Sequence, residues 1–108
     1  MLFQHNIKHL KKRDRRIVDF DQSRITNAVY KAMRAAGEGD LEHDPQRVSD
    51  KATAELVRRF PKEQIPEVEE IQDLVEETLI LTDFPKTARA YILYRHERAQ
   101  VREKAKVI

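Results

Sequence analysis

Glycine and proline are scarce in this chain, and their placement constrains its architecture more than any other feature. The 108 residues include 2 glycines and 4 prolines. Both glycines sit in Gly37-Glu38-Gly39, and the prolines are Pro45, Pro61, Pro66 and Pro85. Glycine ends helices in a left-handed residue, whereas proline opens them in the first turn and interrupts them elsewhere. The stretches between these breakers carry apolar residues at helical spacing. Asp21-Gln22-Ser23 offers an N-cap, and Ile25, Ala28, Val29, Ala32, Met33 and Ala36 form one stripe behind it. Asp44-Pro45 predicts a second helix, with Asp44 as N-cap and Pro45 at the first helical position. It turns Val48, Ala52, Leu56 (or Val57) and Phe60 inward and stops at Pro61.

A third helix begins around Pro66, with Val68, Ile71, Val75 and Leu79 on one face and acidic residues in its first turn, where the helix dipole favours them. Asp83-Phe84-Pro85 separates it from a last helix. There Ala88, Tyr91, Ile92 and Ala99 are apolar and Arg89, Arg95, Arg98 and Arg102 basic. Its final turns, Arg102 to Lys106, are polar and predicted to fray. Val107-Ile108, with neither cap nor polar tail, reads as a segment continuing into a following domain. Before the first helix the pattern changes. Ile7 and Leu10, then Ile17, Val18 and Phe20, flank a very polar centre, and Val18 and Phe20 share one face at period two. This predicts a β-hairpin turning near Asp14-Arg15, where Asp-Gly would be the favoured pair and Arg15 resists a positive φ. An isolated hairpin is marginal and needs helices to lie on. The fold class is therefore mainly α with a small β-hairpin: four helices and a two-stranded lid, in one domain spanning 1–108.

Much chemistry is excluded. The chain has no Cys, hence no disulfide, thiolate metal site or cysteine nucleophile. No apolar run approaches the ~20 residues of a membrane span. The N-terminal MLFQHNIKHLKK puts its charge after a broken apolar stretch, the reverse of a signal peptide, so a cytoplasmic location without a membrane partner is expected. His5, His9, His43 and His96 form no i, i+4 ligand pair, and no metal site is expected. Ser23 and Ser49 lack a nucleophile-elbow context. The carboxylates of Glu69, Glu70, Glu76 and Glu77 read as the wet face of a helix. Two glycines cannot make a Gly-rich phosphate loop, so any nucleotide must be held by side chains. The chain reads as a binder, with no catalytic residues.

Charge is segregated along the chain. The 21 basic and 19 acidic residues give a net +2, which averages +6 over residues 1–34, −1 over 35–62, −7 over 63–81 and +4 over 82–108. The densest cluster is Lys11-Lys12-Arg13-Asp14-Arg15-Arg16, at the hairpin tip. Three readings fit it: a solvated turn that discourages edge-to-edge pairing, non-specific nucleic-acid contact, and recognition of a polyphosphate by Arg forks and Lys point charges.

The order of residues from Lys12 to Ile25 carries more information than their charge. Lys12-Arg13-Asp14-Arg15-Arg16-Ile17-Val18-Asp19-Phe20-Asp21-Gln22-Ser23-Arg24-Ile25 resembles the opening of the ATP-cone domain. Val68-Glu69-Glu70-Ile71-Gln72-Asp73-Leu74-Val75-Glu76 and Ala88-Arg89-Ala90-Tyr91-Ile92-Leu93-Tyr94-Arg95 resemble two later motifs of that family. The three occur in order with matching spacing and cover roughly residues 7–98, leaving 99–108 as a helical extension or a link. Two positions depart from the pattern. Arg15 stands where a turn glycine is usual, and Glu97 where a basic or polar residue often comes.

The resemblance implies a β-hairpin capping a four-helix bundle, with a nucleotide under the lid. It implies a regulatory domain without its own active site, binding ATP or dATP with Mg²⁺ and controlling a ribonucleotide reductase through oligomeric state. The anaerobic reductases carry particularly similar cones. The implied partners are the effector, a reductase catalytic domain and further copies of the chain. The same family includes repressors of reductase genes, but those carry a zinc ribbon that a Cys-free chain does not match. Nucleic acid is therefore not the expected partner, though a DNA-binding regulatory module and a cone serving only in protein interaction remain alternatives. Residue by residue, Lys12, Arg13 and Arg24 match phosphate-contacting positions. Leu10, Phe20 and Ile25 match apolar positions at base and sugar, and Asp21 an acceptor for the adenine amino group. Val68, Ile71 and Gln72 match the third-helix edge of the pocket, and Leu93 its last-helix wall.

Overall fold

A computed structural model describes residues 7–62 and 64–107, with side chains as far as Val101. His5 and the rest of Met1–Asn6, the polar side chains of Arg102 to Lys106, and Ile108 lie outside the described residues. The elements are β1 (His9–Lys11), β2 (Ile17–Asp19), α1 (Gln22–Ala36), α2 (Asp44–Arg59), α3 (Val68–Leu81) and α4 (Pro85–Val107). The expected fold class is the observed one. Each helix packs on the next, and α1 closes the ring by packing on α4.

Ile25, Val29, Ala32 and Met33 of α1 meet Val48, Ala52 and Leu56 of α2, Ile71, Leu74, Val75 and Leu79 of α3, and Ala88 and Tyr91 of α4 in one core. Ile7, ahead of the hairpin, is buried in the same cluster. Leu74 adds to the α3 stripe read from sequence, because a helix buried between two neighbours needs an apolar face wider than one row. Val68 and Phe60, expected inward, are half-buried at the ends of their helices, and Ile92 is 44 % exposed.

The helix ends follow the breakers, with one correction. Asp21 caps α1, its Oδ1 accepting from the Ser23 N–H at 3.0 Å. Gly37 takes a left-handed φ of 66°, and the Glu38 N–H returns to the Met33 carbonyl at 3.2 Å. The N-cap of α2 is His43 rather than Asp44, which is the first helical residue with Pro45 behind it. Asp44 turns its carboxylate back to the loop, accepting from the Asp40 N–H at 2.7 Å. The Gly37–Gly39 turn also starts α4. Glu38 Oε1 accepts from both the N–H and the hydroxyl of the buried Thr87, each at 2.9 Å, across 49 residues of sequence. Burial raises the Glu38 pKa, but these bonds and the neighbouring Lys86 outweigh it and hold the carboxyl below its ordinary range.

The hairpin pairs His9 with Asp19, Leu10 with Val18 and Lys11 with Ile17. Its turn is a three-residue loop rather than a two-residue one. The Lys12 N–H donates to the Arg16 carbonyl at 2.8 Å, the Arg15 N–H to the Lys12 carbonyl at 2.9 Å, and Arg15 has a φ of 75°. That is a type I turn followed by a left-handed residue, the geometry for which glycine is preferred. Asp14 holds the loop from the inside, accepting from the Arg16 N–H at 3.1 Å and from Arg16 Nε at 2.7 Å.

Candidate functional site

The hairpin is fastened to the start of α3. The Lys11 N–H donates to the Pro66 carbonyl at 3.0 Å, and Lys11 forms a parallel bridge with Glu67. A short β extension thus joins the lid to the residues that open the third helix. Between them lies a cleft of about 290 Å³, lined by Lys11, Lys12, Arg13, Arg15, Glu67, Val68 and Glu69. Four of these seven side chains are cationic. The amino end of α3 adds the partial positive charge of a helix start, although the capping box of Glu67 and Glu70 takes up two of its N–H groups. The volume is at the lower end for a small-molecule site.

The acidic members of the cleft differ in role. Glu67 is the N-cap of α3, and its N–H donates to Glu70 Oε1 at 3.0 Å. Glu69 reaches across the cleft instead, with Oε1 2.9 Å from Arg13 Nε. Among the described residues, Lys11, Lys12 and Arg15 form no close ion pair, so Arg13 is the one lining cation in direct contact with a carboxylate. The Arg16 N–H does most to lower the Asp14 pKa, and Lys12 lies near enough to help.

The expected site residues separate into groups. Lys12, Arg13 and Val68 line the cleft. Leu10 and Phe20 are half-buried against the core, and Ile25 and Ile71 belong to it, so these four are not among the residues that line the cleft. Asp21 and Arg24 are exposed at the start of α1, outside the lining, and Asp21 Oδ1 is engaged by the Ser23 N–H and hydroxyl. The Ser23 hydroxyl and N–H lower the Asp21 pKa. Gln72 faces α4, its Oε1 accepting from Arg95 Nε at 3.2 Å. Leu93 stands apart. It is 56 % exposed and lines an apolar groove with Ile80, Pro85, Ala88, Arg89 and Ile92.

Lys11, Arg15, Glu67 and Glu69 join the cleft without having been singled out as site residues. For Lys11 and Arg15 the signal was the basic run itself. For Glu67 and Glu69 there was none, because their partners lie more than fifty residues away.

Arg95 is the other concentrated charge. Its guanidinium meets Gln72, Asp73 at 2.9 Å, and Glu76, binding the middle of α3 to α4. Among the described residues no group of three metal-binding side chains comes together, and no helix is long and apolar enough to cross a membrane.

The sequence matches the profile of the ATP cone domain over residues 8–100. It is 37% identical over 107 residues to a vitamin B12-dependent ribonucleoside-diphosphate reductase of Thermoplasma acidophilum, covering 94% of this chain and 13% of that one. It is also 37% identical over 93 residues to an anaerobic ribonucleoside-triphosphate reductase of Haemophilus influenzae, covering 86% and 13%. A ribonucleoside-diphosphate reductase subunit alpha of Chlamydia muridarum is 32% identical over 102 residues, covering 87% and 10%. The chain thus spans about an eighth or less of the length of these relatives.

Proposed function

This chain belongs to the ATP-cone family, and on that premise we propose that it is a regulatory module holding ATP or dATP between its hairpin and its helices. The observation that carries this reading is the convergence of Lys11, Lys12, Arg13 and Arg15 with the amino end of α3 on one cleft. Cations clustered at a helix N-terminus make a site for phosphate oxygens, which accept from Arg forks and from free N–H groups together. Lys12 and Arg13 take the phosphates, and Arg24, one turn into α1, extends the positive field. Leu10, Phe20 and Ile25 supply the apolar bed for base and sugar, and Asp21 accepts from the adenine amino group. Val68 forms the α3 edge, with Ile71 in the core behind it. Mg²⁺ accompanies the triphosphate, held by its oxygens and by water, as this hard cation prefers.

The module acts on a reductase catalytic domain in the cytoplasm. ATP and dATP compete for one site and favour different quaternary arrangements. A ligand moves such an equilibrium only by its differential affinity for the two states. The exposed groove of Ile80, Ile92 and Leu93 supports association with further copies, because apolar surface of this kind gains by being covered. Calorimetry with ATP, dATP and GTP tests the reading. Binding of the two adenine nucleotides is expected, and its loss in the double variant Lys12→Ala/Arg13→Ala with the helical circular dichroism preserved. Absence of binding by all three nucleotides at millimolar concentration overturns the reading, and unchanged affinity in the double variant overturns the site.

A further inference from the structure

Resting on the reading of the cleft as a phosphate site, we propose that Glu69 is a stand-in anion, which holds Arg13 in the empty cleft and must be displaced before phosphate can take its place. Of the four lining cations, Arg13 alone is in direct ion-pair contact with a carboxylate among the described residues, with Nε 2.9 Å from Glu69 Oε1. A carboxylate and a phosphate oxygen present the same acceptor to a guanidinium. The contact is made at Nε, which carries a single N–H, so a phosphate oxygen that takes this hydrogen bond replaces the carboxylate.

Glu69 is built to leave. It contributes nothing to the backbone cap of α3, because the side chain that returns to the Glu67 N–H belongs to Glu70. Its side chain is 52 % exposed and that of Arg13 32 %, so the carboxylate can swing into water without opening the core. Lys11, Lys12 and Arg15 carry no such counter-anion and stand ready for an incoming phosphate. Occupation then proceeds as an exchange: phosphate meets the unpaired cations, Glu69 rotates outward, and Arg13 transfers its hydrogen bond from carboxylate to phosphate. Glu69 thereby sets the affinity of the site and ties the tip of the hairpin to α3 while the cleft is empty.

The test is titration calorimetry of MgATP into the unmodified chain, Glu69→Gln, Arg13→Gln and the double variant. Gln keeps the size and the helical position but removes the charge. Glu69→Gln is expected to bind roughly three- to tenfold more tightly, the range that loss of one exposed ion pair permits. That gain must vanish in the Arg13→Gln background. A gain of equal size in both backgrounds overturns the proposal, since it shows only through-space repulsion, and so does unchanged or weaker binding by Glu69→Gln. If Glu69→Gln binds where the unmodified chain does not, the proposal stands in its strongest form. If no variant binds, the nucleotide reading itself falls, and the proposal with it. Should Arg13→Gln bind too weakly to titrate, hydrogen exchange decides. The amides of Lys12 to Arg16 exchange faster in unliganded Glu69→Gln if the tie holds the hairpin, and equal exchange overturns the proposal.

Discussion

Arg15→Gly should make the domain more stable and a poorer ligand for phosphate at the same time. Arg15 sits at φ 75°, where a residue with a Cβ is disfavoured by about 1–2 kcal/mol relative to glycine. Glycine returns about 0.5–1 kcal/mol of that through its greater freedom in the unfolded chain. Nothing else is forfeited in the fold, because Arg15 has no ion-pair partner among the described residues and its N–H still donates to the Lys12 carbonyl at 2.9 Å. The net gain is about 0–1.5 kcal/mol, or a rise in Tm of up to roughly 12 °C for a domain of this size. It registers globally because the hairpin is coupled to the core through buried Ile7 and through the Lys11–Pro66 hydrogen bond. Differential scanning calorimetry measures the shift, and ATP titration should show affinity reduced roughly three- to tenfold by loss of one exposed cation. A Tm that falls would refute the strain account. Unchanged affinity would show that the cation in the glycine position serves no phosphate.

Three further outcomes follow from the fold. Gly39→Ala adds a Cβ 2.9 Å from Met33 Sδ and 3.3 Å from Phe84 Cε1 at φ 83°, so urea unfolding should show a loss of about 1–3 kcal/mol. Glu38→Ala removes the acceptor for Thr87 at the start of α4 and should cost about 1 kcal/mol at neutral pH. Because the folded pKa of Glu38 is depressed, this contribution is present above the ordinary glutamate range. It disappears as pH falls through the folded value, so the unmodified chain and the variant should converge in acid. Glu55, held to about 2 by Arg58 and Arg59, behaves in the same sense. The stability difference between the unmodified chain and Glu55→Gln should persist above pH 4.5 and close as pH falls toward 2.

The helices were legible because their ends are written in single residues. Asp21, Gly37, Pro45, Pro61 and Pro85 each stand at or beside an observed boundary. The slip at α2, where His43 rather than Asp44 is the cap, arose because Asp44 spends its carboxylate on the Asp40 N–H instead of on its own helix. Polar members of the core were not legible. Ser49, Thr53 and Thr87 are buried, Ser49 accepting from Gln22 Nε2 at 3.1 Å and Thr87 donating to a carboxylate 49 residues distant, partners that sequence spacing does not reveal. The hairpin was visible in its alternation, and Arg15 marked its turn, but loop length depends on register, which alternation alone leaves open. The family motifs pointed to Lys12, Arg13 and Val68, which meet in the cleft. Leu93 was placed by the same resemblance on the pocket wall. The turn of α4 instead sets it beside Ile80 and Pro85, a position decided by helix rotation rather than by residue type.

The acidic stretch that looked like a solvated helix face works as a shared anchor. Glu69 holds the hairpin through Arg13, Asp73 and Glu76 hold α4 through Arg95, and Glu77 lies 3.4 Å from Arg59 of α2. A tilt or slide of α3 stretches an ion pair to each neighbour, in addition to its core contacts. The three grips are electrostatic and partly wet, so ionic strength acts on them together. Added salt therefore loosens all three links at once, leaving α3 held by its core face of Ile71, Leu74, Val75 and Leu79.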